Sequence, residues 1–251
     1  MILALDSSTN VLSIALVAFE GKRPRLVCER RIDDGGKHGA QLPGSIEALL
    51  SEAGLGLAAL SGCAAGIGPG SFTGLRVGLA TLKGLCFARR LPIAGAPSLR
   101  AVALAAAGEL GAAGEGALLC PLFDARRGEV YAAVYRGAAA EPVLAEASMP
   151  PGALAAFLAG AGGRVRIFGD GLWAHGAALE PLRGEAELWP EGPRTPRAFD
   201  VAALCGPAEG FWPEALFSIE PRYVRPSEAE LKFPGGTFVP HPSLDVGKTG
   251  S

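Results

Sequence analysis

Gly66-Ile67-Gly68-Pro69-Gly70-Ser71-Phe72-Thr73-Gly74-Leu75-Arg76-Val77-Gly78-Leu79-Ala80-Thr81 is the stretch on which the fold turns. Small apolar residues over 62–67 predict a buried strand, the glycines with Pro69 predict a tight loop, and helical spacing then runs over about 75–90. A loop between strand and helix offers backbone amides and the positive end of a helix dipole to an anion. It is not a dinucleotide fingerprint, because the spacing begun at Gly66 needs glycine where Ser71 stands, and no lysine follows to make a Walker motif. The helix carries an apolar stripe (Leu75, Leu79, Leu82, Cys86), a polar stripe (Arg76, Lys83, Arg90) and a small-residue stripe (Gly74, Gly78, Thr81). Small residues at that spacing admit a second helix, from this chain or from a partner.

Upstream, the apolar runs 2–5 and 11–18 flank Asp6-Ser7-Ser8-Thr9-Asn10, which predicts strand, turn, strand, with a third antiparallel strand over 25–31. The turn is either an ordinary Asx turn or a cradle in which amides and hydroxyls meet a phosphate and Asp6 faces a metal. Leu42, Ile46, Leu49, Leu50 and Ala53 recur at helical spacing behind Pro43, with Gly54 as a stop. A strand over 91–96 and a helix opened by Ser98 follow. The pattern then restarts: strands over 118–123 and 129–135 around Asp124-Ala125-Arg126-Arg127-Gly128, a helix from 151, a strand over 165–168 and a helix from 199. Two similar α/β halves are the simplest parse. Asp124, Arg126, Arg127 and Asp170 are either cleft residues of the second half or hairpin charges. From Pro221 the periodicity is lost, so the end is an extended segment on the body or a tail.

Composition excludes several classes. With 251 residues, 49% hydrophobic, 19% charged and a net charge of −2, the chain is neither disordered nor collagenous and has no strongly polyanion-seeking surface. The five cysteines are scattered with no Cys-x-x-Cys pair, which argues against a disulfide framework and a zinc site. His38, His175 and His241 form no helical pair, and no Gly-x-Ser-x-Gly elbow occurs. Gly247-Lys248-Thr249 resembles half of a Walker motif but has Pro242 where a glycine is required. The start lacks a basic region, Asp6 interrupts its apolar run, and no later run is long enough to cross a membrane. A soluble, cytoplasmic chain with no membrane partner is expected.

Ile2 to Thr9, His38 with Gln41-Leu42-Pro43, and above all the stretch from Gly66 to Thr81 resemble the TsaB (YeaZ) family. Asp124-Ala125-Arg126-Arg127 with Glu129-Val130-Tyr131, Gly169-Asp170-Gly171 and Pro221-Arg222-Tyr223-Val224-Arg225 are similar to its later landmarks. The resemblance implies an α/β, two-lobed actin-like ATPase (ASKHA, RNase H-like) fold. It implies an N-terminal lobe over 1–100, a C-terminal lobe over 101–225 whose helix near 199–210 packs back on the first, and a Pro-rich tail over 226–251. It implies a non-catalytic partner of TsaD in forming N6-threonylcarbamoyladenosine at position 37 of tRNAs reading codons that begin with A. A heterodimer with TsaD, a ternary complex with TsaE, contact with tRNA only through the complex and a homodimer when alone follow from it. On the family's pattern Asp6, Ser7, Ser8, Thr9, Gly68, Gly70, Ser71 and Thr73 form nucleotide-binding or vestigial phosphate loops. Leu42, Ile46, Leu49, Gly74, Arg76, Gly78, Thr81, Leu82 and Leu85 form the partner interface, with Gly78 and Thr81 in its seam.

No catalytic or metal-binding residue is expected. Ser98 and Val102 stand where the paralogue's His-x-x-x-His would hold its metal, and valine cannot coordinate one. The chain should need no cofactor, with ATP or ADP and a divalent metal binding in the assembled complex. Gly39-Ala40 replaces the family's usual Ser-Glu after the first histidine. The alternative is an active ATP-dependent small-molecule kinase of the same fold, with Asp6 on metal and the glycine-rich loop on phosphates. An independent tRNA-binding module conflicts with the net charge and with only 7% aromatic residues.

Overall fold

The computed structural model describes residues 1–33, 41–137, 140–160, 165–180, 183, 186–210 and 215–225. His38, Gly39-Ala40 and the Pro-rich 226–251 segment lie outside them. The first sheet contains β1 (Ile2–Asp6), β2 (Val11–Glu20), β3 (Arg23–Asp33), β4 (Gly62–Gly66) and β5 (Ile93–Ala96) in the order β3-β2-β1-β4-β5. β1, β2 and β3 form an antiparallel meander, and β4 and β5 extend it in parallel from β1. The second sheet contains β6 (Leu118–Asp124), β7 (Val130–Arg136), β8 (Glu141–Met149), β9 (Val165–Phe168) and β10 (Ala186–Leu188) in the order β10-β9-β6-β7-β8. Its directions repeat those of the first, strand for strand. The restart in the sequence is therefore a topological duplication, the two-lobed architecture of actin-like and RNase H-like proteins.

Each sheet is covered on both faces, which is why β1 and β6 read as continuous apolar runs. Period-two alternation sends Leu3 and Leu5 to the face under α1 (Leu42–Glu52) and α2 (Phe72–Arg89), while Ile2 and Ala4 face α6 (Ala198–Cys205). The second sheet packs α4 (Pro151–Ala159) and α5 (Asp170–Leu179) on one face and α3 (Ser98–Leu110) on the other. Thus α3, which follows β5, covers the second sheet, and α6, which follows β10, covers the first. The α6 N-terminus docks on the meander, where the Ala198 amide donates to Ser13 Oγ at 2.8 Å and the Phe199 amide to Glu29 Oε1 at 3.4 Å.

α2 starts at Phe72 rather than 75, because Ser71 Oγ accepts from the Gly74 amide at 3.2 Å and caps the first turn. The predicted apolar stripe Leu75, Leu79, Leu82 and Cys86 is buried as expected. Of the small-residue stripe, Gly74 and Gly78 face inward. A Cβ on Gly74 would lie 2.1 Å from Ser7 O, and one on Gly78 would lie 2.2 Å from Ser7 Oγ and 2.7 Å from Leu5 Cδ2. The neighbour that needs these glycines is the first turn of this chain, which corrects the expectation that Gly74 and Gly78 meet a partner helix. Leu42, Leu49 and Leu82 likewise belong to the core of the first lobe and are closed to a partner.

Candidate functional site: an interlobe cleft with closed phosphate loops

The parallel pairing of β1 with β4 places Asp6, the last residue of β1, beside the start of the glycine-rich loop. The Asp6 carboxylate lies across Gly66 so closely that a Cβ there would stand 1.8 Å from Oδ2. Oδ1 accepts from the Ser8 amide at 2.9 Å and from Ser8 Oγ at 2.6 Å, and Oδ2 accepts from Ser98 Oγ at 2.6 Å. Asp6 is fully buried, and burial raises its pKa against the pull of those donors. Ser98 also accepts from the Gly68 amide at 3.1 Å and donates its own amide to Gly68 O at 2.7 Å.

The two loops are joined to each other. The Ser71 amide donates to Ser8 O at 2.6 Å, Ser7 Oγ donates to Gly74 O at 2.9 Å, and a Cβ on Gly70 would stand 2.2 Å from Ser8 O. The amides of Ser8, Gly68, Ser71 and Gly74 are thereby all used within the chain. Ser7, Ser8 and Thr9 are buried, whereas Ser71 and Thr73 are exposed on the cleft side. The expected loops are thus adjacent and tied to each other, and Ser8, Thr9, Gly70, Ser71 and Thr73 border the space between the lobes. The actin-like fold implies a nucleotide with a divalent metal, and these residues do not fit the metal: both oxygens of Asp6 are occupied, Val102 is buried in the core, and among the described residues no group of three or more His, Cys, Asp and Glu side chains could hold an ion.

Between the lobes runs a cleft of about 1040 Å³. Asp124, Arg126 and Asp170 line it, so these are cleft residues as well as turn residues. Asp124 ends β6 as Asp6 ends β1. It meets His175 Nε2 at 3.1 Å and Arg126 Nε at 3.6 Å, and its amide donates to Asp170 Oδ1 at 3.2 Å. Burial lifts the Asp170 carboxyl to about 6. Sequence reasoning missed the aromatic lining. Phe72, Trp173 and Tyr223 border the cleft and are exposed, and the signal was their place, Phe72 and Tyr223 inside quoted motifs and Trp173 two residues after one. Residues 219–225 cross the cleft wall. Ile219 O accepts from Lys83 Nζ and Tyr223 OH from Arg76 Nε, while Arg222 pairs with Glu146 at 2.7 Å and Arg225 with Glu129 at 3.4 Å. Arg76, expected at a partner interface, lies here instead.

A second, apolar groove of about 570 Å³ lies between α1 and α2, lined by Pro43, Ile46, Leu50, Leu57, Thr81 and Leu85 among others. Ile46, Thr81 and Leu85 are the members of the expected interface that reach it. The outward side of α2 beside it carries the exposed Ala80, Gly84 and Phe87.

Fold and site together define a two-lobed, actin-like protein whose first turn and glycine-rich loop are bonded to each other at the edge of the interlobe cleft. Residues 35–163, just over half of the chain, match the family model described as TsaD: tRNA N6-adenosine threonylcarbamoyltransferase. The TsaB of Haemophilus influenzae is 37% identical over 132 residues, 52% of this chain and 51% of that protein. The TsaB of Bacillus subtilis is 27% identical over 235 residues, 92% of this chain and 97% of that one. A solved YeaZ from Pseudomonas aeruginosa superposes with a TM-score of 0.67 at 29% identity, over 88% of this chain and 98% of that one. The chain belongs to the TsaB (YeaZ) family, and these TsaB relatives are tRNA threonylcarbamoyladenosine biosynthesis proteins. It spans about half the length of the Haemophilus influenzae and Escherichia coli relatives in these matches. Among the described residues no helix is long and apolar enough to cross a membrane.

Proposed function

We propose that this chain is a non-catalytic partner of TsaD in forming N6-threonylcarbamoyladenosine at position 37 of tRNAs reading codons that begin with A. The observation that carries the reading is the state of Asp6. A fully buried carboxylate that accepts three hydrogen bonds, two from Ser8 and one from Ser98, under a glycine it nearly touches is committed to its own chain rather than set out for a metal. The same observation weighs against the kinase alternative, which needs Asp6 on a metal and free amides on phosphates. Nucleotide and metal are then held by the assembled complex. TsaE joins as a third component, tRNA is engaged through the complex, and the chain alone pairs with a second copy through the face that TsaD would cover.

The groove between α1 and α2 supports a docking role, since it is apolar, walled by two helices and flanked by the small Ala80 and Gly84, which let another helix approach. The test is light scattering on a sizing column with the TsaD of the same organism. A one-to-one species is expected with the wild-type chain. Leu57→Asp, which places a charge on an exposed leucine of the groove wall, is expected to abolish it without changing the melting temperature of the isolated chain. Two unaltered components with the wild-type chain, or a full complex with Leu57→Asp, would refute the assignment.

A further inference from the structure

The two loops border the cleft on one side, tied to each other, and the rest of the cleft wall is built for a flat ring and an anion. On the first lobe the Arg76 guanidinium lies 3.8 Å from the centre of the Phe72 ring, and Phe72 packs on Tyr223 with ring centres 5.0 Å apart. Arg76 is fixed by donating Nε to Tyr223 OH at 2.8 Å, and no carboxylate among the described residues pairs with it. A stacked, oriented guanidinium of this kind is suited to forked recognition of a phosphate. On the second lobe Trp173 is 60% exposed, with Arg194 4.1 Å from its ring centre, so that one face of the indole is backed by a cation. Arg126 projects from a turn in which it and Arg127 both have positive φ, 63° and 55°. Left-handed arginines in succession are strained, and such strain collects at functional sites.

We infer that this cleft binds an unpaired nucleotide of an RNA strand, with its base stacked on Trp173 and its phosphate held by Arg76 and Arg126. The inference rests on the tRNA-modification reading and departs from it at one point, giving this chain its own RNA subsite where contact with tRNA only through the complex is otherwise expected. A phosphodiester carries a single charge and needs no metal, which suits a wall with arginines and without an ion site. A free nucleoside triphosphate would bring a magnesium ion, and the cleft carboxylates Asp124 and Asp170 are already engaged by His175, Arg126 and the Asp124 amide. Base stacking and arginine contacts of this type serve single strands rather than duplexes.

The probes are a fluorescein-labelled ten-nucleotide single-stranded RNA, the same strand annealed to its complement, and AMP and magnesium ATP as competitors, read by anisotropy with the full chain. The single strand should bind at least tenfold more tightly than the duplex. Trp173→Ala should weaken it by about 5- to 150-fold, the loss that removal of one base stack produces. Arg126→Gly should weaken it and reduce the slope of log affinity against log salt by about 0.7, the loss of one phosphate contact. Because glycine relaxes the left-handed position, this variant should melt no lower than wild type, so weaker binding would not reflect unfolding. Equal binding of strand and duplex, variants that bind as wild type, or binding of AMP or ATP without RNA would each overturn the inference, the last assigning the cleft to free nucleotide. Elution with TsaD is followed on the same proteins: a normal complex without RNA binding refutes only the subsite, whereas loss of the complex refutes the partner reading.

Discussion

Alanine at two glycines of α2 should have opposite effects. At Gly78 the new methyl would stand 2.2 Å from Ser7 Oγ and 2.7 Å from Leu5 Cδ2, and both neighbours are buried, so neither can swing into solvent. Moving Ser7 also disturbs its 2.9 Å bond to Gly74 O. Overpacking of this kind costs about 1–3 kcal/mol and a disturbed hydrogen bond about 1, offset by about 1 from the better helix propensity of alanine, for a net loss of about 1–3 kcal/mol. Six residues later, a Cβ on Gly84 meets nothing within 4 Å, and the same substitution should stabilise the chain by about 1 kcal/mol. Urea unfolding with unchanged slope measures both, and for a chain of this size each kcal/mol moves the melting temperature by about 2–4 °C. A neutral or stabilising Gly78→Ala would refute the reasoning, because the stripe would then not be packed on the first turn and would be open to a partner.

Asp200 is buried at the start of α6, Oδ2 lacks a hydrogen-bond partner, and burial pushes its carboxyl up to about 7 against the pull of Arg197. The folded form keeps a proton that the unfolded chain releases near pH 4, so this group's contribution is fully present below that pH and is lost as pH rises toward about 7. Asp200→Asn should therefore flatten the decline, with a gain over wild type on the order of 4 kcal/mol between pH 4 and 8; urea midpoints that track wild type across that range would refute it. Ser98→Ala removes the donor to Asp6 Oδ2 and the acceptor of the Gly68 amide together, all buried, and should lower urea-measured stability by about 2–3 kcal/mol. A loss under about 0.5 kcal/mol would mean that Ser98 does not seal Asp6.

The duplicated lobes were legible because the central strand runs are buried on both faces and so are uninterrupted in hydrophobicity, and because the Asp-Ser-Ser-Thr-Asn turn marks the end of β1 and a Gly-rich loop the end of β4. Strand β9 was bounded correctly from Val165 to Phe168 by its neighbours' turn residues. β8, α5 and β10 went unread for local reasons. β8 is a partly exposed outer strand with weak alternation, α5 is interrupted at His175 by a non-helical φ of −123°, and β10 has three residues. The site was half legible. Spacing put Gly74 and Gly78 on one stripe, but spacing carries no information about which neighbour a stripe meets, and the answer, Ser7, lies 67 residues from Gly74 in the sequence. Ser98 reads in the sequence as a helix opener and as a substitute for a lost ligand, and not as a partner of Asp6, because that bond spans 92 residues and leaves no local trace. Asp124 and Asp170 could not be told from hairpin charges until β6 and β9 were paired side by side.

Residues 219–225 change what the two lobes can do as mechanical bodies. The chain passes between the lobes at α3 and again on the way from β10 to α6, and neither passage lines the cleft. Two such links leave a rotation about the line through them, the freedom that lets two-domain enzymes close on a ligand and reopen. The third crossing lies in the cleft wall. It is fastened to the first lobe through Ile67 and Lys83 and to the second through Glu146, Ala125 and Glu129. A tie at the mouth, away from the other two, acts as a brace on that rotation. Such a tie turns a two-link clamshell into a frame fastened at three points.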